Sequence, residues 1–151
     1  MTRSAALRER LGTADLVHVD ARVFAYHLLA ENPYAELTRV VFGDMQTGAV
    51  RGQTSSLALY QLLAEVYRRG EDDRAKEIAR MLTVHKGLDL VPVTADVAVQ
   101  AAQVRAQLGG RPERAVQIAT ALAAGAEIFL TQGSGLRRIV GMVVVNLEDF
   151  V

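Results

Sequence analysis

The residue best placed to do chemistry in this chain is Asp20. It closes the run Leu16-Val17-His18-Val19-Asp20, whose β-branched, apolar-flanked character reads as a strand. In an open parallel sheet the C-terminal edge of the strands is where ligands and metals bind, so a carboxylate delivered there is a candidate ligand. Other candidates are thin. His18, His27 and His85 are dispersed and show no metal-ligand spacing. Ser55 and Ser56 lack the strained Gly-x-Ser-x-Gly elbow of a hydrolase nucleophile and suit helix capping better. Gly133-x-Gly135 is too short for a dinucleotide fingerprint and precedes no long helix. Arg137 and Arg138, with Arg22 and Arg111, form a candidate basic rim, since arginine favours phosphate. The competing reading is solvated surface.

Composition narrows the function classes. With 151 residues, half of them hydrophobic, the chain can bury the core of one domain without staples. No cysteine occurs, which excludes disulfides, thiolate metal sites and cysteine nucleophiles and fits a reducing compartment. The formal net charge is zero, so binding to nucleic acid or an anionic membrane would need a local patch. Aromatic residues are few, which argues against a platform for stacking single-stranded bases. Apolar runs such as Met142 to Val145 are too short to span a bilayer. Met1 to Arg10 is charged and has no apolar signal-peptide core, so no membrane association is expected and the cytoplasm is the expected location.

The elements that must position Asp20 alternate between helical and extended patterns. Residues 1–14 read as a short helical extension and 15–151 as the domain proper. After the strand over 15–20, helices are expected over 22–30 and 34–48, broken at Asn32-Pro33 because proline cannot continue the hydrogen-bond ladder. A short strand over 49–54 leads to Ser55-Ser56, a cap for a helix over 57–69 that Gly70 ends. A charged amphipathic helix follows over 72–86, then a strand over 88–93. Thr94 caps a helix over 95–108, Gly109-Gly110 stops it, and Pro112 opens another that ends at Gly125. Strands over 127–131 and 142–147 complete the pattern, with a turn at 133–135. Strands separated by helices predict an α/β fold: a central parallel sheet covered by helices on both faces, three layers in all.

Five landmarks, in this order, carry a resemblance to a known family. They are Val19-Asp20 with Val23-Phe24; Thr54-Ser55-Ser56-Leu57; Leu90-Val91-Pro92-Val93-Thr94; the helix from Ala115 to Gly125; and Phe129-Leu130-Thr131. Together they resemble the PIN domain over about residues 15–150, a family of metal-dependent ribonucleases that includes the VapC-type toxins. The resemblance implies a three-layer PIN-like fold and a set of four acidic positions. Asp20 matches the first. The second falls on Gln61, the third on Arg114 and the fourth on Gly133, beside Gln132.

This departure matters electrostatically. PIN nucleases use one or two Mg²⁺ or Mn²⁺ ions, hard cations that want oxygen ligands and that relieve the repulsion among neighbouring carboxylates. Across the four positions the formal charge moves from about −4 to zero, with an arginine among them. No metal is therefore expected. Glu65, one helical turn after Gln61, and Glu113, beside Arg114, are the candidate substitutes. Their simpler readings are a solvated helix residue and a first-turn acid favoured by the helix dipole. Arg114 reads either as an ion-pair partner of Asp20, the preferred alternative, or as a phosphate hook within the rim of Arg22, Arg111, Arg137 and Arg138.

Two functions follow. The first is a catalytically degenerate PIN-like domain that works by binding, with the balance against an enzyme. The second is an active Mg²⁺- or Mn²⁺-dependent endoribonuclease with an irregular acidic site. The resemblance also implies a homodimer and an antitoxin-like protein partner, with RNA more weakly supported. An apolar stripe at Tyr34, Leu37, Val40 and Val41 reads as core, with dimerisation as its alternative use.

Overall fold

The computed structural model describes residues 2–28, 33–133 and 135–151. Five parallel strands form one sheet in the order β3-β2-β1-β4-β5: β1 Val17–Val19, β2 Gly52–Ser55, β3 Leu88–Val91, β4 Ile128–Thr131 and β5 Val143–Asn146. Seven α-helices are described: α1 Arg3–Leu11, α2 Ala21–Leu28, α3 Ala35–Thr47, α4 Ser56–Arg68, α5 Asp72–Val84, α6 Ala95–Leu108 and α7 Pro112–Ala124. The predicted α/β class, with a central parallel sheet between helical layers, is the one observed.

The chain leaves β1 toward β2 and β3, then returns to place β4 on β1's other side. The connections reverse direction at β1, which opens a crevice beyond its C-terminal end. Side chains alternate along a strand, and that alternation divides the core. Val17, Val19, Ile128 and Leu130 pack with Leu7, Phe24, Val41 and Val66 of the helices α1 to α4. Phe129, between Ile128 and Leu130, packs instead with Val104, Ile118 and Ala119 of α6 and α7. His18 follows the same parity and reaches Gln117 of α7. By that parity Asp20, two residues on, also belongs to the α7 side.

Local chemistry explains the element ends. The Ser55 hydroxyl accepts from the Leu57 N–H at 3.1 Å, so one serine both ends β2 and caps α4. Thr94 caps α6 in the same way, and Pro112 occupies the first turn of α7. Gly125 ends α7 at φ 73°, a left-handed conformation that suits glycine.

Several boundaries differ from expectation. The second strand lies over 52–55 rather than 49–54, and residues 147–150 form a 3₁₀ turn where a strand was extrapolated to 147. That turn begins where Asn146 Oδ1 accepts from the Glu148 N–H, which closes the strand. The first long helix ends its described part at Leu28, and residues 29–32, including Asn32, lie outside the described residues, as does Ser134 in the expected turn. α1 places Leu7 and Leu11 in the main core and ties Arg8 Nε to Asp44 at 2.8 Å. Leu37 and Val41 are buried too, so they are core, while Tyr34 and Val40 of the same apolar stripe are half-buried. Among the described residues no helix is long and apolar enough to cross a membrane.

Candidate functional site

Asp20 sits one residue beyond β1, between that strand and the start of α2. Its N–H donates to the Leu130 carbonyl at 2.9 Å and its carbonyl accepts from the Val23 N–H at 3.0 Å, which clamps the backbone at the strand edge. The side chain is fixed as well: Thr131 Oγ1 donates to Asp20 Oδ2 at 2.7 Å. The residue is only 7% exposed. Burial pushes its carboxyl above the usual carboxylate range. The Thr131 hydroxyl, the Ala21 N–H and the fields of Arg114 and Arg22 oppose that rise without cancelling it.

A cleft of about 160 Å³ opens at this point, lined by Asp20, Arg22, Gln61, Arg111, Glu113 and Arg114. Asp20, Gln61 and Arg114, which the sequence resemblance sets at acidic positions, thus share one recess. The fourth is adjacent. Gly133 has φ 122°, and a Cβ built there would lie 2.5 Å from Arg22 Nη1. Arg22 therefore fills the space that a side chain at 133 would enter. Asn146 Nδ2 donates to the Gly133 carbonyl at 2.6 Å and holds the loop in place.

The remaining candidates separate. Glu113 lines the cleft, with its carboxylate 3.8 Å from the Arg111 guanidinium. Glu65 is turned to its own helix, bonded to Arg68 at 2.6 Å and Arg69 at 3.2 Å, and these bonds, Arg68 first, lower its pKa. It borders a neighbouring apolar groove instead of the cleft. Arg137 bonds Glu148 at 2.7 Å and Asp149 at 2.9 Å. With Arg138 it borders a second recess that shares Arg114. The anticipated Asp20–Arg114 ion pair is not formed: the Arg114 guanidinium has no bonded partner among the described residues and acts on Asp20 only through its field. Asn146, which holds Gly133, was not singled out from the sequence, and Thr131, which holds Asp20, was named there only as part of a landmark. Strand parity was the signal available for Thr131, since it falls on the same face as Asp20 once β1 and β4 are in register.

Behind the cleft lies a polar chain that satisfies both ring nitrogens of His18, while Gln117 Nε2 is buried with no protein partner. Gln53 Nε2 donates to His18 Nδ1 at 2.9 Å, and His18 Nε2 lies 2.7 Å from Gln117 Oε1, so the ring is neutral with its proton on Nε2. His18 stacks on Phe129 at 5.1 Å, and burial pushes its pKa down to about 4. It is a core histidine, not a metal ligand.

What the cleft can do follows from its donor set. Among the described residues, no three of His, Asp or Glu gather where they could hold a metal ion. The recess instead joins one buried carboxyl and one glutamate to three arginines and an amide.

The model of the PIN domain family matches residues 5–141, most of the chain. This protein belongs to the PIN domain family. No curated protein matched the sequence. Among solved structures, VapBC2 from Rickettsia felis bound to a promoter DNA fragment has a similar chain, with a TM-score of 0.65 and 14% identity over 87% of this chain and 98% of that one. DNA-bound VapBC from Salmonella typhimurium gives a TM-score of 0.65 and 16% identity over 87% and 97% of the two chains. VapC20 of Mycobacterium tuberculosis, a sarcin-ricin loop cleaving toxin, gives 0.63 and 17% over 75% and 86%. At such identities these likenesses show the shared PIN fold.

Proposed function

We propose that this PIN domain is catalytically degenerate and works by binding, with an antitoxin-like protein as its partner and without a divalent metal. One observation carries the reading: the cleft at the end of β1 gathers Gln61 and Arg114 with Asp20, and Arg22 lies against the adjacent Gly133, which are the residues that the sequence resemblance sets at the family's acidic positions. Mg²⁺ needs several oxygen ligands and negative charge to offset its dehydration. Asp20 offers one carboxyl, held by Thr131 and disfavoured as an anion by burial, and the nearby arginines repel a cation. This donor set does not suit the ion that PIN nucleases use. An antitoxin-like partner is supported by the fold shared with chains of VapBC complexes. The lack of cysteine fits a reducing compartment and supports a cytoplasmic protein. A homodimer remains part of the proposal on family grounds.

The test is metal titration by calorimetry, followed by RNA cleavage with Mg²⁺ or Mn²⁺. The expected result is no sub-millimolar binding and no cleavage above a mock preparation. Restoring charge with Gln61→Glu and Arg114→Asp creates metal binding, read as a Mg²⁺-dependent rise in melting temperature that the parent lacks. Metal-dependent cleavage by the parent, lost in Asp20→Ala, overturns the proposal and makes Glu113 the next ligand to examine.

A further inference from the structure

The arginine-lined cleft is continuous with an apolar groove. The groove, about 180 Å³, lies between α2, α4 and α5 and is walled by Ala25, Leu28, Leu62 and Ile78. It shares Arg22 and Gln61 with the cleft. The pair therefore presents a cationic end and an oily end, joined by a side-chain amide.

Three features point to the chemistry of an occupant. The guanidinium groups of Arg22 and Arg114 form no ion pair or hydrogen bond with any described residue, and both reach the cleft. Their planar donor forks match a carboxylate or a phosphate. Gln61 Oε1 is buried with no protein partner. A half-turn of that amide presents either a donor or an acceptor at the junction, and a peptide group supplies the complement of both. The groove, finally, offers apolar wall that an aliphatic side chain can cover, and a nucleic-acid backbone has nothing to put there. A run of phosphates also finds no net positive charge in the chain.

We propose that cleft and groove together bind one segment of a partner protein, with an aspartate or glutamate carboxylate between Arg22 and Arg114 and a leucine- or isoleucine-sized side chain in the groove. The inference rests on the cleft being a binding site and not a metal centre. Its content is the sign of the charge: a cleft built to hold cations would select a basic anchor, and this one selects an acidic one. The arginines supply specificity and register, and the groove supplies the apolar burial that favours association.

A displayed random dodecapeptide library panned on the immobilised full chain tests this, with Arg22→Gln/Arg114→Gln as the counter-target. Enriched peptides should pair an acidic residue with Leu, Ile or Val within one or two helical turns. Synthetic copies should bind the double variant about tenfold more weakly, the size expected for losing charge-assisted hydrogen bonds. An Ala25→Trp variant that keeps the parent's melting transition should lose binding by filling the groove, with the arginines intact. Enrichment of basic peptides, no enrichment, binding indifferent to both variants, or competition by a poly(U) oligonucleotide would each overturn the inference. The proposed function fails by a different readout, metal-dependent RNA cleavage. A protein that neither cleaves nor selects acidic peptides therefore refutes only the present inference.

Discussion

His18, in the middle of β1, and Asp20, just beyond its end, stand two residues apart and are both buried, yet they face opposite fates. His18 is closed on every side: Gln53 donates to one ring nitrogen, Gln117 accepts from the other, and Phe129 covers a face. Asp20 has one side-chain donor, Thr131, and opens onto a cleft whose nearby guanidiniums do not bond it. A polar group whose hydrogen bonds are completed by its own fold specifies structure and has nothing left for a ligand. A polar cluster left open at a strand edge is where an external group is recognised. Polarity and burial alone do not separate the two cases; the completeness of the bonding does.

The largest test removes the histidine whose bonding is complete. His18→Ala should cost about 3 kcal/mol, because it leaves a cavity and strands two buried amides. In thermal melts that is a fall of roughly 10 °C for a domain of this size. The parent should also lose stability as pH falls. The folded-state pKa of His18 is lowered from 6.5 to about 4, so its contribution is intact above 6.5 and declines as pH drops through about 4. That decline should be absent in His18→Ala. A variant that melts within about 2 °C of the parent would show the network to be idle.

Next is Gly133→Asp, the substitution that by sequence alone would rebuild the fourth acidic position. It should cost about 2 kcal/mol, since φ 122° is strained for any L side chain and the new Cβ meets Arg22. Chemical denaturation reads this directly. Recovery of the loss by Arg22→Ala would sharpen the comparison by showing how much of it is the clash with arginine. An unchanged midpoint would mean that the loop moves freely and Arg22 does not fill that space.

The smallest effect concerns Asp20. Its folded-state pKa is raised above 3.8, so the protonated form favours folding below that pH and the benefit is lost as pH rises through the folded value. Asp20→Asn should therefore match the parent in acid and exceed it at neutral pH, by on the order of 1 kcal/mol. A pH series of denaturation midpoints decides it. If Asn is instead less stable at pH 7, the Asp20 anion is better paired in the fold than its surroundings indicate.

Much of this molecule was legible in the chain because local chemistry writes its own punctuation. Proline at 112, glycine at 125, threonine at 94 and serine at 55 placed helix ends that the structure keeps. β-branched runs separated by helices implied a parallel sheet with both faces covered, and that follows from the need to bury each strand. Burial of Leu37 and Val41 on α3 was legible for the same reason, since their apolar spacing is that of one helix face. The 52–55 strand was misplaced because Gly52, Gln53, Thr54 and Ser55 carry no apolar alternation. They are strand because β1 and β3 pair with them on both sides.

The alignment of Asp20, Gln61, Arg114 and Gly133 also came from the sequence, through landmarks that span the chain. Tertiary structure decided how those residues meet. That Arg114 stays unbonded to Asp20, that Arg22 occupies the space beside Gly133, and that Glu65 turns to Arg68 and Arg69 depend on side-chain directions that residue order does not encode. The same holds for the groove that adjoins the cleft, whose walls come from three helices brought together only by packing. Residue types set the charge available at the strand edge, and the fold decided which charges are satisfied internally and which are left for a partner. Hydrogen bonds and ion pairs are governed by ångström-scale distances between residues far apart in the chain, and only the packed sheet brings those residues into range.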